Sequence, residues 1–192
     1  MLIEIRQLTP RTRLGIWRMD EPQTGSPRQY ERQCVQMLLT AMMDGDTSYA
    51  IGHEHNGKPF IIADGEPQCR WNISVSHTRG FAVVLLSDEC RVGVDIEYRS
   101  DRVERIAKRF IRPDEPADNI DEMLLLWSAK EAVYKLFSED KLAFFDMRAV
   151  SSTDNVISVQ NTKRNIVVTV GYEFSADYVL TYVVESYHPS AS

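Results

Sequence analysis

Apolar residues recur along this chain with two different periods, and the way those periods alternate limits the fold more than any other feature. Short runs that alternate or are apolar throughout predict strands at Leu2 to Leu8, Trp71 to Ser76, Phe81 to Ser87, Arg91 to Glu97, Val156 to Val159, Ile166 to Phe174 and Tyr178 to Val184. Between them, Arg28 to Met43 runs without Gly or Pro from a Ser26-Pro27 start to an Asp44-Gly45 stop, which predicts a helix. Val103, Ile106, Ala107 and Phe110 fall at helical spacing from Asp101 to Ile111, before Pro113. A second long helix is expected from an Asp121 cap to about Phe137, with Met123, Trp127 and Tyr134 facing the core. Strands 71–76, 81–87 and 91–97 should form an antiparallel meander. The interleaving predicts an α+β fold of two lobes, roughly 1–90 and 91–192, each a long helix on an antiparallel sheet.

Composition narrows the function classes. A chain of 192 residues buries a full core without disulfides, and its formal charge of -6 argues against nucleic-acid binding. No uncharged run approaches the roughly 20 residues that cross a bilayer, and Glu4 and Arg6 break the apolar start, so no membrane span or export signal is read and a cytoplasmic protein is expected. Cys34, Cys69 and Cys90 lack metal-ligand spacing and are expected to be buried thiols.

Three segments carry chemistry. In Gly93-Val94-Asp95-Ile96-Glu97 the carboxylates stand at i and i+2 of a strand, on one face and roughly 7 Å apart. Hard oxygen donors on a rigid element suit magnesium. In Trp127-Ser128-Ala129-Lys130-Glu131-Ala132-Val133-Tyr134-Lys135, Glu131 and Lys135 are four apart on one helical face, and Glu131 lies near the edge of the apolar stripe, where a charge needs a partner. Asn72-Ile73-Ser74-Val75-Ser76-His77 ends a strand in a hydroxyl and an imidazole, groups that can hold phosphate.

With Gly57-Lys58-Pro59, these blocks stand in the order found in the 4'-phosphopantetheinyl transferase superfamily, whose Ser-His strand end, Gly-[Ile/Val]-Asp-x-Glu strand and Trp-x-x-Lys-Glu-Ala-x-x-Lys helix the chain resembles over roughly residues 26–145. The resemblance implies a pseudo-twofold fold of two lobes with coenzyme A between them. It implies a magnesium-dependent transfer of the phosphopantetheine arm from coenzyme A to a serine of an acyl or peptidyl carrier protein, releasing 3',5'-ADP. Asp95, Glu97 and Glu131 would hold the metal, and Lys135 would support the phosphate charge. Lys58, Ser76 and His77 would bind the nucleotide, with Arg28 and Arg32 helping. Either Glu131 or Glu115 would accept the serine proton. A monomer is expected.

Two positions depart from the family pattern. Gln36 stands where an arginine often precedes the Leu-Leu pair, and Ser138-Glu139-Asp140-Lys141 replaces a Gly-rich basic turn. Both bear on cofactor affinity, and they keep open a relative that binds coenzyme A or carrier without catalysis; a metal-dependent phosphohydrolase is the other enzymatic reading. Arg99, Arg102, Arg105, Lys108, Arg109 and Arg112 form a basic segment directly after the carboxylate strand, where an acidic carrier could dock.

Overall fold

The computed structural model describes residues 1–20, 26–115 and 117–186. The chain divides into two units, one of Met1–Val92 with the stretch from Val184 on, the other Gly93–Val183.

The first unit holds β1 (Leu2–Thr9), β2 (Thr12–Arg18), α1 (Pro27–Met42), β3 (Tyr49–His53), β4 (Pro59–Ala63), β5 (Glu66–Pro67), β6 (Asn72–Thr78) and β7 (Phe81–Ser87). An antiparallel sheet runs in the order β1-β2-β7-β6, and a small one in the order β3-β4-β5. Strand β7 is buried along its whole length, so it needs a partner on each edge, and β2 and β6 supply them. α1 packs Cys34, Val35, Leu38, Leu39 and Met42 with Ile73, Ala82, Val84 and Leu86. A Cβ on Gly15 would meet Leu38 Cδ1 and Met42 Sδ at 2.8 Å, so glycine in β2 lets the helix settle on the sheet.

The second sheet runs β8 (Cys90–Tyr98), β12 (Tyr178–Ser186), β11 (Ile166–Phe174), β10 (Val156–Asn161) and β9 (Met147–Thr153). β8 therefore does not extend the β6–β7 hairpin, and the expected three-strand meander ends at β7. α2 (Ile120–Leu136) packs on β9, β10 and β11. Its cap is Asn119, whose side chain accepts from the Glu122 amide at 3.0 Å. Asp121, expected as the cap, sits in the first turn and pairs with Arg99 at 2.6 Å.

Of the expected stripe, Met123 and Trp127 pack against the core as partly buried residues and Tyr134 does not. Leu124, Leu125, Leu126, Ser128, Ala129, Lys130, Ala132, Val133 and Leu136 are buried, while Tyr134 is exposed. A helix buried on most of its circumference has no single stripe to read. The segment Asp101–Arg109 is a 3₁₀ helix rather than an α-helix, with Val103 turned inward and Phe110 buried at its end. Cys34 and Cys90 are buried free thiols, whereas Cys69 is exposed. Among the described residues, no helix is long and apolar enough to cross a membrane.

Candidate active site

The close approach of β8 to α2 begins at Gly93. A Cβ there would lie 2.1 Å from the Ala132 carbonyl oxygen and 3.0 Å from the Leu136 amide nitrogen, so only glycine lets the strand touch the helix backbone. On α2, Ser128 Oγ and Thr181 Oγ1 are 2.9 Å apart, and Thr181 Oγ1 donates to the Ser128 carbonyl at 2.8 Å, which fixes the helix to β12 as well. Two residues beyond Gly93 stands Asp95, and one turn beyond Glu131 stands Lys135.

Lys135 Nζ donates to Asp95 Oδ1 at 2.8 Å and to the Val94 carbonyl at 2.9 Å. Asp95 is only 3% exposed, a cost its partner offsets. Glu97 follows on the same strand, and Trp127 Nε1 donates to its Oε1 at 2.7 Å. That indole is held by a stack on Phe144, centroids 4.8 Å apart, and by the edge of Phe110 at 5.2 Å.

Glu131 completes the group from the helix side. Burial, and next the charge of Asp95, push its carboxyl above the ordinary range, while Lys135 pulls it back. Glu97 is pushed up to about 7 by burial, then by Asp95 and Glu131, against the Trp127 hydrogen bond and Lys135. The three carboxylates thus act on one another. Among the described residues no group of three or more His, Cys, Asp or Glu side chains, these three included, is placed to hold a metal ion. All three are carboxylates, the class of oxygen donor that a hard cation takes.

Residues 91–183, just under half of the chain, match the model of the 4'-phosphopantetheinyl transferase superfamily. Residues 91–183 are a domain of that superfamily. No curated protein matches the chain. The superfamily carries out phosphopantetheine transfer, with coenzyme A as substrate, carrier proteins as acceptors and typically a divalent metal. Asp95, Glu97, Glu131, Lys135 and Glu115 all lie within the matched residues.

Glu115 is brought to α2 but not as an open carboxylate. It is buried against Lys130 Nζ at 2.6 Å, and it accepts from the Arg112 amide at 2.9 Å and the Ala149 amide at 2.7 Å. Lys130 was not singled out by its sequence position, although a lysine three residues past Trp127 falls on the buried side of the helix.

The remaining candidates belong to the first unit. Lys58 is exposed on the β3–β4 hairpin, whose Gly57 takes a φ of +89°. Ser76 is buried on β6, and His77 beside it is exposed with Nδ1 3.9 Å from Glu31 on α1. Arg28 and Arg32 flank Glu31 in sequence and are exposed, with no ion pair among the described residues.

Gln36 is not an empty phosphate position. Its Nε2 donates to the Tyr49 carbonyl at 2.8 Å and its Oε1 accepts from the Ile51 amide at 3.3 Å, which ties α1 to the outer edge of β3. The Ser138–Lys141 turn is likewise satisfied from within the domain. Asp140 accepts from Asn161 Nδ2 at 2.9 Å and pairs with Arg164, Glu139 lies 3.7 Å from Arg164, and Lys163 Nζ donates to the Lys141 carbonyl at 3.1 Å. Its inverted charge is thus balanced locally. In the basic segment, Arg99 and Arg112 are committed to Asp121 and Asp114. Arg102, Arg105, Lys108 and Arg109 are exposed and have no ion pair among the described residues.

Proposed function

We propose that the chain is a holo-acyl-carrier-protein synthase, transferring the 4'-phosphopantetheine arm of coenzyme A to a carrier serine. What supports this most is the Asp95–Lys135 pair at 2.8 Å, with Glu97 and Glu131 beside it, inside the residues that match the family. Asp95, Glu97 and Glu131 would hold a magnesium ion, which when bound would neutralise charge on the pyrophosphate oxygens.

The chain's own residues account for the rest. The carrier serine Oγ forms a bond to the phosphorus bearing pantetheine, the pyrophosphate P–O bond breaks, and 3',5'-ADP leaves with the electron pair. The serine proton goes to Glu131. Glu131 is preferred to Glu115 because both Glu115 oxygens are engaged in buried contacts. Lys135 presents its ammonium, held by Asp95 and the Val94 carbonyl, to the phosphate charge. Lys58, Ser76, His77, Arg28 and Arg32 would bind the nucleotide. The four exposed cations of residues 102–109 would steer an acidic carrier to the domain.

The test is Glu131→Gln. Transfer should fall about 10²- to 10⁴-fold, while thermal stability holds or rises because one of three repelling charges is gone. A variant that transfers at the wild-type rate contradicts the assignment. Loss of coenzyme A without carrier modification in the wild type would make the activity hydrolysis.

A further inference from the structure

The most deeply buried charges in the second unit have no part in that chemistry. The side chains of Lys130 and Glu115 are both 0% exposed, with Nζ 2.6 Å from Oε2. Burial pulls the Lys130 ammonium below its ordinary range, and the Glu115 carboxylate opposes that pull.

What the pair touches gives it a meaning. Lys130 Nζ also donates to the Phe110 carbonyl at 2.7 Å, and Phe110 is the residue that ends the 3₁₀ segment. Glu115 Oε2 accepts from the Arg112 amide at 2.9 Å, in the loop that follows, and Oε1 accepts from the Ala149 amide at 2.7 Å, on the outermost strand β9. Lys130 itself precedes Glu131 on α2. Four directional contacts therefore fasten the end of the basic segment, its following loop and the sheet edge to the helical turn that carries Glu131.

Stability alone does not ask for such a device, since well-packed apolar replacements of buried ion pairs are often neutral or stabilising. Apolar contacts slide, whereas charged hydrogen bonds with fixed directions hold a position. We propose that Lys130 and Glu115 are positioning residues that fix the exposed cations Arg102, Arg105, Lys108 and Arg109 relative to Glu131, so that a carrier docked on the first presents its hydroxyl to the second. This rests on the transferase reading above. A misplacement of about 1 Å can cost on the order of 10²-fold in rate, which is the scale on which such a pair matters.

Two variants and two readouts test it. Lys130→Met leaves a buried carboxylate without its counter-charge and should melt well below the wild type. Lys130→Gln/Glu115→Gln removes both charges together and keeps hydrogen-bonding side chains at both positions. It should fold and melt within several degrees of the wild type, yet kcat for carrier modification should fall at least ~10-fold while KM for coenzyme A stays within about twofold. A normal kcat in the folded double variant would overturn the proposal and leave the pair a structural anchor. If the wild type modifies no carrier, the transferase reading fails by itself. Amide exchange then decides whether the tether exists: the Arg112 and Ala149 amides should exchange at least ~10-fold faster in the folded double variant, and unchanged exchange overturns it.

Discussion

Replacing Gly93 with alanine tests how the site is assembled. The added Cβ would sit 2.1 Å from the Ala132 carbonyl oxygen and 3.1 Å from its carbonyl carbon. A carbon and an oxygen in close contact stand about 3.3 Å apart, so α2 and β8 must separate by about 1 Å. Neither neighbour is a flexible side chain that could turn away; both are helix backbone, anchored on its other sides by Ser128–Thr181 and Lys130–Glu115. Overpacking in a core that can adjust costs about 1–3 kcal/mol, and this clash should lie at or above the top of that range. For a chain of this size, about 3 kcal/mol lowers Tm by roughly 6–12 °C. The same displacement carries Glu131 and Lys135 away from Asp95, so Gly93→Ala should also lose about 10²-fold in transfer even where it is fully folded. Thermal unfolding followed by circular dichroism, with transfer measured well below Tm, reads both effects. A variant that melts within 2 °C or so of the wild type would refute the close packing of strand on helix.

Stability of the chelator-treated protein should fall as pH rises from about 5 to about 7. Glu97, pushed up to about 7, keeps in the folded state a proton that the unfolded chain has already released, and Glu131 acts in the same direction. Glu97→Gln should flatten that slope, and an unaltered slope counts against the electrostatic reading. Arg102→Glu with Arg105→Glu should raise KM for the carrier several-fold and flatten its dependence on salt between about 0.05 and 0.2 M, leaving KM for coenzyme A nearly fixed; an effect on coenzyme A alone would move the cations to the nucleotide. Gln36→Arg should cost about 1–2 kcal/mol, because the bonds to Tyr49 and Ile51 are lost. An unchanged Tm with tighter coenzyme A binding would restore the phosphate reading of that position.

Local spacing made the grouping of these four side chains on two elements legible. Asp95 and Glu97 at i and i+2 needed only a strand, and Glu131 and Lys135 at i and i+4 needed only a helix. The Asp95–Lys135 contact itself, across forty residues, followed from no local rule. Lys130 went unnoticed for the same reason: a lysine among helix charges reads as solvated until Glu115 arrives from the loop to pair with it. Strand β2 was missed because Arg13, Gly15 and Arg18 interrupt its pattern, although its Leu14 and Ile16 are fully buried. β3, β4 and β9 were passed over as well, being short or polar along one face. The segment from Asp101 was expected to be α-helical because over nine residues the apolar spacing of an α-helix and of a 3₁₀ helix barely differs. Gln36 illustrates the opposite limit. Its place in the sequence invited a comparison of side-chain charge, whereas its role is set by the free edge of a strand that lies next to it only in three dimensions.

Transfer of phosphopantetheine by this domain onto a carrier is tested by intact-mass analysis of the carrier. Candidate apo carrier proteins are incubated with the protein, coenzyme A and magnesium, with Glu131→Gln alongside. At least one carrier should gain the mass of a single phosphopantetheinyl group with the wild type, its serine-to-alanine variant should not, and Glu131→Gln should leave the carrier almost unmodified. No mass gain on any carrier that an established transferase modifies under the same conditions would contradict it.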